Sequence, residues 1–314
     1  MHTKFNAYSK IILQMPDALE WLSSYDINAK NTRYAKYEEI IKDFFNNDEL
    51  SKILENQDIN SLDNIVLEKN LYNKTLEKFI KKEEALEELL HIYIIFKLFK
   101  NERSEGFINR LKIIITGKDL LTNNQSKSRS ESRDILFELY IISHFKAINF
   151  KIDFNQRTDI VVEKDNIKIY AECKKINSEK SFQKSFYKAG KQLEKLNFTN
   201  QEYGLIFIDI SNCVLIESIK REVENEQVAK NHIKTLVQDF TNRNNSIINE
   251  YNNKFIKHSL AVCFIATIPI WTKDGTQYAC TEINIIFPEF LEDNNEIVLN
   301  KIFSGFANAF ENII

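Results

Sequence analysis

Two acidic residues and a lysine near the middle of the chain have a spacing that suits metal-assisted hydrolysis. Asp159 opens the stretch DIVVEKDNIKIYAECK, and Glu172 and Lys174 lie near its end. Both halves of the stretch alternate apolar and polar residues and are rich in Val, Ile and Tyr, which predicts two β-strands. The Asp165-Asn166 pair between them is a favoured hairpin turn. The sequence therefore predicts a β-hairpin that carries these three charged side chains.

The turn fixes the register of the predicted hairpin. With a two-residue turn, Lys164 pairs with Ile167, and the same register places Asp159 opposite Glu172. Directly opposed Cβ atoms lie about 4.5–5.5 Å apart, and like charges there destabilise a sheet. A divalent cation offsets this repulsion, and Mg²⁺ is a hard ion that takes oxygen ligands. Lys174 follows Glu172 by two residues, so both side chains project from the same face of the strand.

Two carboxylates and a cation on one face are suited to the hydrolysis of phosphodiesters. A bound divalent ion lowers the pKa of a water ligand and neutralises the charge that builds on the phosphate. The lysine can orient the attacking water or stabilise the transition state. The alternative interpretation is a half-exposed hairpin with a surface Glu-Lys pair, because so short a motif arises often by chance.

The stretch resembles the PD-(D/E)xK nuclease superfamily, whose members share the restriction-endonuclease-like fold. Thr158-Asp159 stands where that family has Pro-Asp, and Glu172-Cys173-Lys174 stands for its (D/E)-x-K. The missing proline is a mild departure, since proline contributes no ligand. The resemblance implies Mg²⁺, with Mn²⁺ as an alternative, bound by carboxylates and by the backbone carbonyl of Cys173. It also implies a preceding helix with an acidic residue and a following amphipathic helix with polar residues that face the site.

The segment from about Ser132 to Ala147 fits the preceding helix. Glu138 lies there within an apolar run, where a carboxylate is costly unless it is paired or binds a metal. The alternative is that Asp134 and Glu138, four residues apart, line one solvated stripe of the helix. At this position before the hairpin, the resemblance makes Glu138 the third acidic residue of the site.

A lysine-rich helix is predicted after the hairpin, from about Ser181 to Asn197. Its lysines recur at offsets of four, three and four residues and share one face. Such a face is usually only solvated, but its place directly after the hairpin favours contact with a phosphate backbone. The resemblance adds a site-facing glutamine, Gln192. The lysines are Lys184, Lys188, Lys191 and Lys195.

The chain divides at a polar stretch into two predicted domains. Residues 1–120 show helical periodicity, with one helix that begins at Pro16 and a longer one from about Leu71 to Lys100. Residues 117–132 (GKDLLTNNQSKSRSES) break this pattern and predict a linker. The predicted domains are an all-helical one over 1–120 and an α/β one over 121–314. Further strands are predicted in the second domain at Tyr203–Ile210, Ser259–Ile270 and Gln277–Pro288, with a Lys273-Asp274-Gly275 turn between the last two.

Composition and missing motifs exclude several other classes of protein. The net charge of −3 over 314 residues gives no global basic field, so any nucleic-acid surface must be local. The four cysteines are scattered, which argues against a zinc site and a disulfide framework and favours a reducing cytosol. No signal peptide, membrane span, Walker A, GxGxxG, HExxH or GxSxG motif is present. Asp209 and Glu282, on later predicted strands, are expected to be surface residues, with a supporting role behind the site residues as the alternative.

The predicted architecture is α/β (α+β): a restriction-endonuclease-like mixed sheet flanked by helices, preceded by the all-helical domain. The predicted function is that of a Mg²⁺-dependent nuclease, cytoplasmic and without membrane contact, that acts on DNA in preference to RNA in prokaryotic defence against foreign DNA. The helical domain would bind a defence-system partner, form a homodimer or sense a signal. The alternative is a catalytically silent member of the fold that binds nucleic acid or protein. A purely helical interaction protein is disfavoured by the dense strand signals after Phe150. The predicted catalytic residues are Glu138, Asp159, Glu172 and Lys174.

Overall fold

The computed structural model describes residues 2–28, 32, 34–37, 84–116, 131–156, 158–199, 201–218, 223–255, 258–271, 277–287 and 293–308. These residues form one mixed β-sheet with helices packed on both faces. The strands are β1 (His2–Ala7), β2 (Lys151–Ile152), β3 (Ile160–Lys164), β4 (Ile167–Lys175), β5 (Glu202–Asp209), β6 (Ala261–Trp271) and β7 (Gln277–Ile286). The helices are α1 (Tyr8–Ser23), α2 (residues 84–99), α3 (Glu105–Thr116), α4 (Glu131–Ala147), α5 (Phe182–Glu194), α6 (Ser211–Ser218), α7 (Glu226–Arg243), α8 (Asn245–Phe255) and α9 (Asp293–Asn308).

The described strands lie in the order β1-β7-β6-β5-β4-β3-β2. The centre of the sheet is parallel, because β4, β5 and β6 are joined by helical crossovers. Both flanks are antiparallel: β2, β3 and β4 on one side, and β6, β7 and β1 on the other. The prediction of a mixed sheet flanked by helices is confirmed, and the strands predicted from Tyr203 onward agree with β5, β6 and β7 to within two residues.

Two hydrophobic clusters cover the two faces of the sheet. One includes Ile169 and Ala171 of β4 together with residues of α1, α2, α3, α4 and α9. The other includes Ile206 and Ile208 of β5 together with residues of α5, α6, α7 and α8. Period-2 alternation along the strands explains this division, because successive side chains point to opposite faces. The carboxyl end of β4 therefore lies between α4 on one face and α5 on the other.

The N-terminal part of the chain differs from the all-helical prediction for residues 1–120. His2–Ala7 form an edge strand that pairs antiparallel with β7. Its pairing partner is far away in sequence, so local periodicity cannot reveal it. The prediction that a helix begins at Pro16 is also wrong, because α1 runs from Tyr8 to Ser23 with Pro16 inside it. Proline removes one helical hydrogen bond there, and the burial of Met15 and Ala18 offsets this loss.

The helices that precede the predicted linker share a core with the sheet. Leu89, Phe107 and Ile169 belong to one cluster of buried residues, so α2 and α3 pack on the same interior as β4. The predicted boundary near residue 120, residues 71–83 of the predicted long helix and the predicted turn at 273–275 lie outside the described residues.

Among the described residues, no helix combines the length and apolar character that a membrane crossing requires.

Candidate active site

The hairpin of β3 and β4 has the predicted turn and register. Asp165 and Asn166 have φ values of 51° and 64°, as a two-residue hairpin turn with left-handed central residues requires. Lys164 pairs with Ile167, and the pairing continues to Ile160 opposite Ala171. One further step along this register reaches Asp159 and Glu172. The turn chemistry and the alternation of apolar residues thus bring the two carboxylates together at one end of the hairpin.

Oxygen atoms of Asp159, Glu172 and Cys173 converge on the ammonium group of Lys174. Lys174 Nζ donates to Asp159 Oδ2 at 3.1 Å, to Glu172 Oε2 at 3.0 Å and to the carbonyl oxygen of Cys173 at 2.9 Å. The amide of Cys173 also donates to Asp159 Oδ2 at 2.9 Å, which fixes that carboxylate against β4. The structure therefore brings Asp159, Glu172, Lys174 and the Cys173 carbonyl together in one cluster.

Burial differs sharply within this cluster. The side chain of Glu172 is 1% exposed, whereas those of Lys174 and Asp159 are 16% and 20% exposed. Burial raises the pKa of Glu172 to about 7; the charge of Asp159 adds to this, and that of Lys174 opposes it. Burial alone would lower the pKa of Lys174, but Asp159 and Glu172 hold it above its ordinary value. Lys174 is therefore protonated at neutral pH and forms an ion pair with the buried carboxyl of Glu172.

Glu138 lies near the same cluster, on α4, which packs on the face of the sheet opposite to α5. Burial raises the pKa of Glu138 to about 9, and the nearby charge of Asp159 raises it further, while Arg110 and Lys174 oppose the shift. Glu138 lines the same cleft as Asp159 and Lys174. Asp134 of the same helix also lines this cleft, so Asp134 and Glu138 share the stripe that the alternative interpretation describes. Burial holds the pKa of Glu138 above neutral pH even with Arg110 and Lys174 nearby.

We expect Glu138→Gln to stabilise the metal-free protein at pH 8. The unfolded chain ionises this carboxyl near its ordinary pKa of 4.5, whereas the folded protein keeps the proton up to about pH 9. Folding stability therefore falls as pH rises through this window, and an uncharged amide escapes that loss. Thermal unfolding in EDTA should show a midpoint several degrees above that of the wild type at pH 8 and little difference at pH 4.

The matched control is Glu131→Gln, an exposed carboxyl on the same helix. It should change stability by less than about 0.5 kcal/mol at either pH. An equal shift for Glu138→Gln at both pH values would contradict the assignment of Glu138 as a half-buried acid with a raised pKa.

A cleft of about 890 Å³ opens above the cluster. Its floor includes Thr158, Asp159 and Lys174, one wall comes from α3 and α4, and the facing wall comes from α5. Two buried polar atoms on its lining, Thr158 Oγ1 and Gln192 Oε1, have no hydrogen-bond partner among the described residues. A buried polar atom without a partner is destabilising, so both atoms are suited to a bound ligand or water. The lining from α5 consists of Ser185, Lys188 and Gln192.

Helix α5 brings its polar residues to the cleft because it packs closely on α8. A Cβ atom at Gly190 would lie 2.6 Å from Tyr251 Cε2, so only glycine permits this approach. The predicted lysine face is exposed, and within it Lys188 lines the cleft together with Gln192. Lys184 and Lys191 of the same helix are exposed and lie outside the lining, as does Lys195 directly after the end of the helix.

A second ionic cluster, which no sequence motif predicted, lies on the opposite face of β4. Lys175 Nζ donates to Glu87 Oε1 of α2 at 2.6 Å and to Asp209 Oδ2 at the end of β5. Burial raises the pKa of Glu87 to about 8; burial acts on Asp209 in the same sense, but Lys175 and Ser211 hold its pKa below the ordinary value. The prediction that Asp209 and Glu282 are surface residues is wrong, since they are 2% and 0% exposed.

The oxygen atoms around Lys174 are of the kind that binds divalent cations. Within the described ranges, no three His, Cys, Asp or Glu side chains stand together as a metal-binding group. The cluster nevertheless offers two carboxylate oxygens and one carbonyl oxygen, all three already in contact with a cation, the Lys174 ammonium. Oxygen donors of this kind suit Mg²⁺ and Mn²⁺. Asp159, Glu172 and the Cys173 carbonyl would hold such an ion, and Glu138 of α4 lines the same cleft.

No family model, curated protein or solved structure gives a significant match to this chain.

Proposed function

We propose that the protein is a metal-dependent nuclease that hydrolyses phosphodiester bonds, with a restriction-endonuclease-like catalytic fold. The observation that carries the proposal is the convergence of Asp159, Glu172 and the Cys173 carbonyl on one cation at the floor of the cleft. The order of elements supports it as well: an acid-bearing helix, a hairpin, a helix with polar residues on the cleft, and a parallel strand.

Each residue has a role that follows from its position. Asp159 and Glu172 would bind the cation, with Glu138 as a further carboxylate that becomes ionised when the ion is present. A bound divalent ion would supply a water of lowered pKa and neutralise charge on the phosphate. Lys174 would stabilise the negative charge of the transition state, because it is the cation on the cleft floor nearest to the ligand oxygens. Lys188 and Gln192 would contact the substrate from α5.

The proposed substrate is a nucleic acid, DNA in preference to RNA, on the basis of the family resemblance. The same resemblance suggests a role in prokaryotic defence against foreign DNA in the cytoplasm. The helices before residue 120 would then bind a partner protein, support a homodimer or sense a signal. Since α2 supplies Glu87 to the cluster behind the site, these helices have a direct physical connection to the catalytic strand.

The test is a cleavage assay of the purified full chain on single- and double-stranded DNA and RNA, with Mg²⁺, Mn²⁺ or EDTA. Products are expected with Mg²⁺ or Mn²⁺ and not with EDTA, and DNA should be cleaved faster than RNA. Linear and circular DNA in parallel separate exonuclease from endonuclease cleavage. Cleavage that persists unchanged in EDTA would contradict the proposal.

The second candidate is a catalytically silent member of the same fold that binds nucleic acid or protein. The burial of Glu172 beneath Lys174 favours it, because a covered carboxylate cannot receive a metal without a rearrangement. Calorimetry with Ca²⁺ and Mn²⁺ distinguishes the two candidates. Nucleic-acid binding without any divalent-ion binding would support the silent module.

We expect Lys188→Glu to weaken nucleic-acid binding and to flatten its dependence on salt. Each lost phosphate contact should lower the slope of log K against log salt by about 0.9 for duplex DNA or about 0.7 for a single strand. Fluorescence anisotropy in EDTA measures both effects, and adding Lys184→Glu and Lys195→Glu should extend them. The control is Lys301→Glu on α9, an exposed lysine on the opposite face of the sheet. Equal slopes for the two single variants would mean that the α5 lysines are only solvated.

A further inference from the structure

Lys174 occupies the place of a divalent cation in the proposed ligand set. Its nitrogen lies 2.9–3.1 Å from the same three oxygens that would bind the metal. Mg²⁺ takes oxygen ligands at about 2.0–2.1 Å, so an ion on these oxygens and the ammonium would lie in the same small volume. Two cations at such a separation, with little water between them, repel each other strongly. The metal and the ammonium therefore compete for one position.

The burial of Glu172 adds a steric component to this competition between the metal ion and the ammonium. Glu172 is 1% exposed and does not contribute to the lining of the cleft, whereas Lys174 does. Lys174 thus connects the cleft with the buried Glu172 carboxylate, which its ammonium contacts at 3.0 Å. An ion that binds Glu172 Oε2 from the cleft would have to replace this lysine contact.

We propose that Lys174 is a tethered counter-cation that holds the ligand oxygens together without metal and is displaced into the cleft when a divalent ion binds. This inference depends on the proposed function, since it concerns the same metal site. The long, flexible side chain of lysine permits the movement, and the cleft provides the space. Displacement would bring the ammonium to the side of the cleft where a substrate phosphate would bind. Metal binding would thus also place Lys174 where it can stabilise the negative charge of the transition state.

Lys175 provides a contrast within the same strand. It points to the opposite face and is held between Glu87 and Asp209, neither of which belongs to the proposed metal site. A divalent ion at Asp159 and Glu172 should therefore release Lys174 and leave Lys175 in place. Two adjacent lysines of similar burial are thus expected to respond differently to the same ion.

The first experiment measures metal affinity without turnover. Calorimetry with Ca²⁺ and Mn²⁺ at pH 8.5 compares the wild type with Lys174→Met and with Lys301→Met, which removes an exposed lysine of α9 on the opposite face of the sheet. Lys174→Met should bind the ions about tenfold more tightly, because the competing cation is gone. Lys301→Met should stay within about twofold of the wild type. Unchanged or weaker binding by Lys174→Met would overturn the proposal and would assign Lys174 to the transition state alone.

The second experiment uses the unmodified protein, so it does not depend on the folding of a variant. Acylation of lysine amines, read by mass spectrometry, is compared in EDTA and in saturating Ca²⁺. Lys174 should be protected in EDTA and become several-fold more reactive with Ca²⁺, whereas Lys175 should stay protected in both. Equal labelling of Lys174 with and without the ion would overturn the displacement.

The two proposals fail in different ways. If neither the wild type nor Lys174→Met binds a divalent ion, the metal-dependent nuclease assignment itself is contradicted. If the wild type binds the ion and cleaves DNA, but Lys174 neither changes reactivity nor limits affinity, only the counter-cation role is wrong. Tighter binding by Lys174→Met together with Ca²⁺-dependent labelling supports both.

Discussion

Asp159→Asn and Glu172→Gln are each expected to lower the proposed nuclease activity by about 10³-fold or more while the protein remains folded. Each change replaces a charged oxygen ligand by a neutral amide of the same size, so the site loses both charge and affinity for the ion. Stability in the absence of metal should change little. The loss of one contact with Lys174 is offset by the removal of one of two like charges that face each other across the hairpin.

The matched control for this prediction is Glu163→Gln, which removes a carboxylate from the exposed side of the same hairpin. Cleavage rates with Mg²⁺ and Ca²⁺ affinities by calorimetry should be near normal for this control and strongly reduced for the two site variants. Full activity in both Asp159→Asn and Glu172→Gln would contradict the assignment of the active site to this hairpin. Full activity in one of them alone would show that the other carboxylate suffices with Glu138.

The hairpin could be predicted from sequence because its determinants are local. Asp165 and Asn166 tolerate the left-handed conformation that the turn needs, and the alternation of apolar residues sets which side chains face the core. Together they fix the register, and the register places Asp159 beside Glu172. The same local signals predicted α4 and α5, and the family resemblance then implied that Glu138 and Gln192 on these helices belong to the site.

The parts that the sequence could not predict depend on distant contacts. Strand β1 pairs with β7 across nearly the whole length of the chain, and HTKFNA alone has no feature that demands a strand. The partners of Lys175 lie 88 residues before it and 34 residues after it. The only available signal was the position of Lys175: the residue after Lys174 must point into the opposite, buried face, where a charge requires a partner. Asp209, at the end of a continuous apolar strand, could have been considered as that partner.

The largest expected effect on stability comes from Lys175→Met, which should lower the free energy of unfolding by about 3–5 kcal/mol. The physical reason is that the lysine is 11% exposed and Asp209 is 2% exposed, so its removal leaves a buried carboxylate without a counter-ion. Glu87 adds little to this penalty near neutral pH, because burial raises its pKa to about 8 and it can keep its proton. Urea unfolding followed by circular dichroism measures the loss, and Lys168→Met on the partly exposed part of β4 is the control.

A second substitution tests whether the unpaired charge is the cause. Asp209→Asn in the Lys175→Met background removes the charge but keeps an oxygen that can accept the hydrogen bond from the Ser211 amide, which is 2.9 Å from Asp209 Oδ1. The double variant should therefore recover at least about half of the lost stability, and the coupling energy should exceed about 1 kcal/mol. If the double variant is as unstable as the sum of the two single changes, the ionic contact between Lys175 and Asp209 contributes nothing. The loss in Lys175→Met would then come from the packing of the lysine stem between α2 and β5.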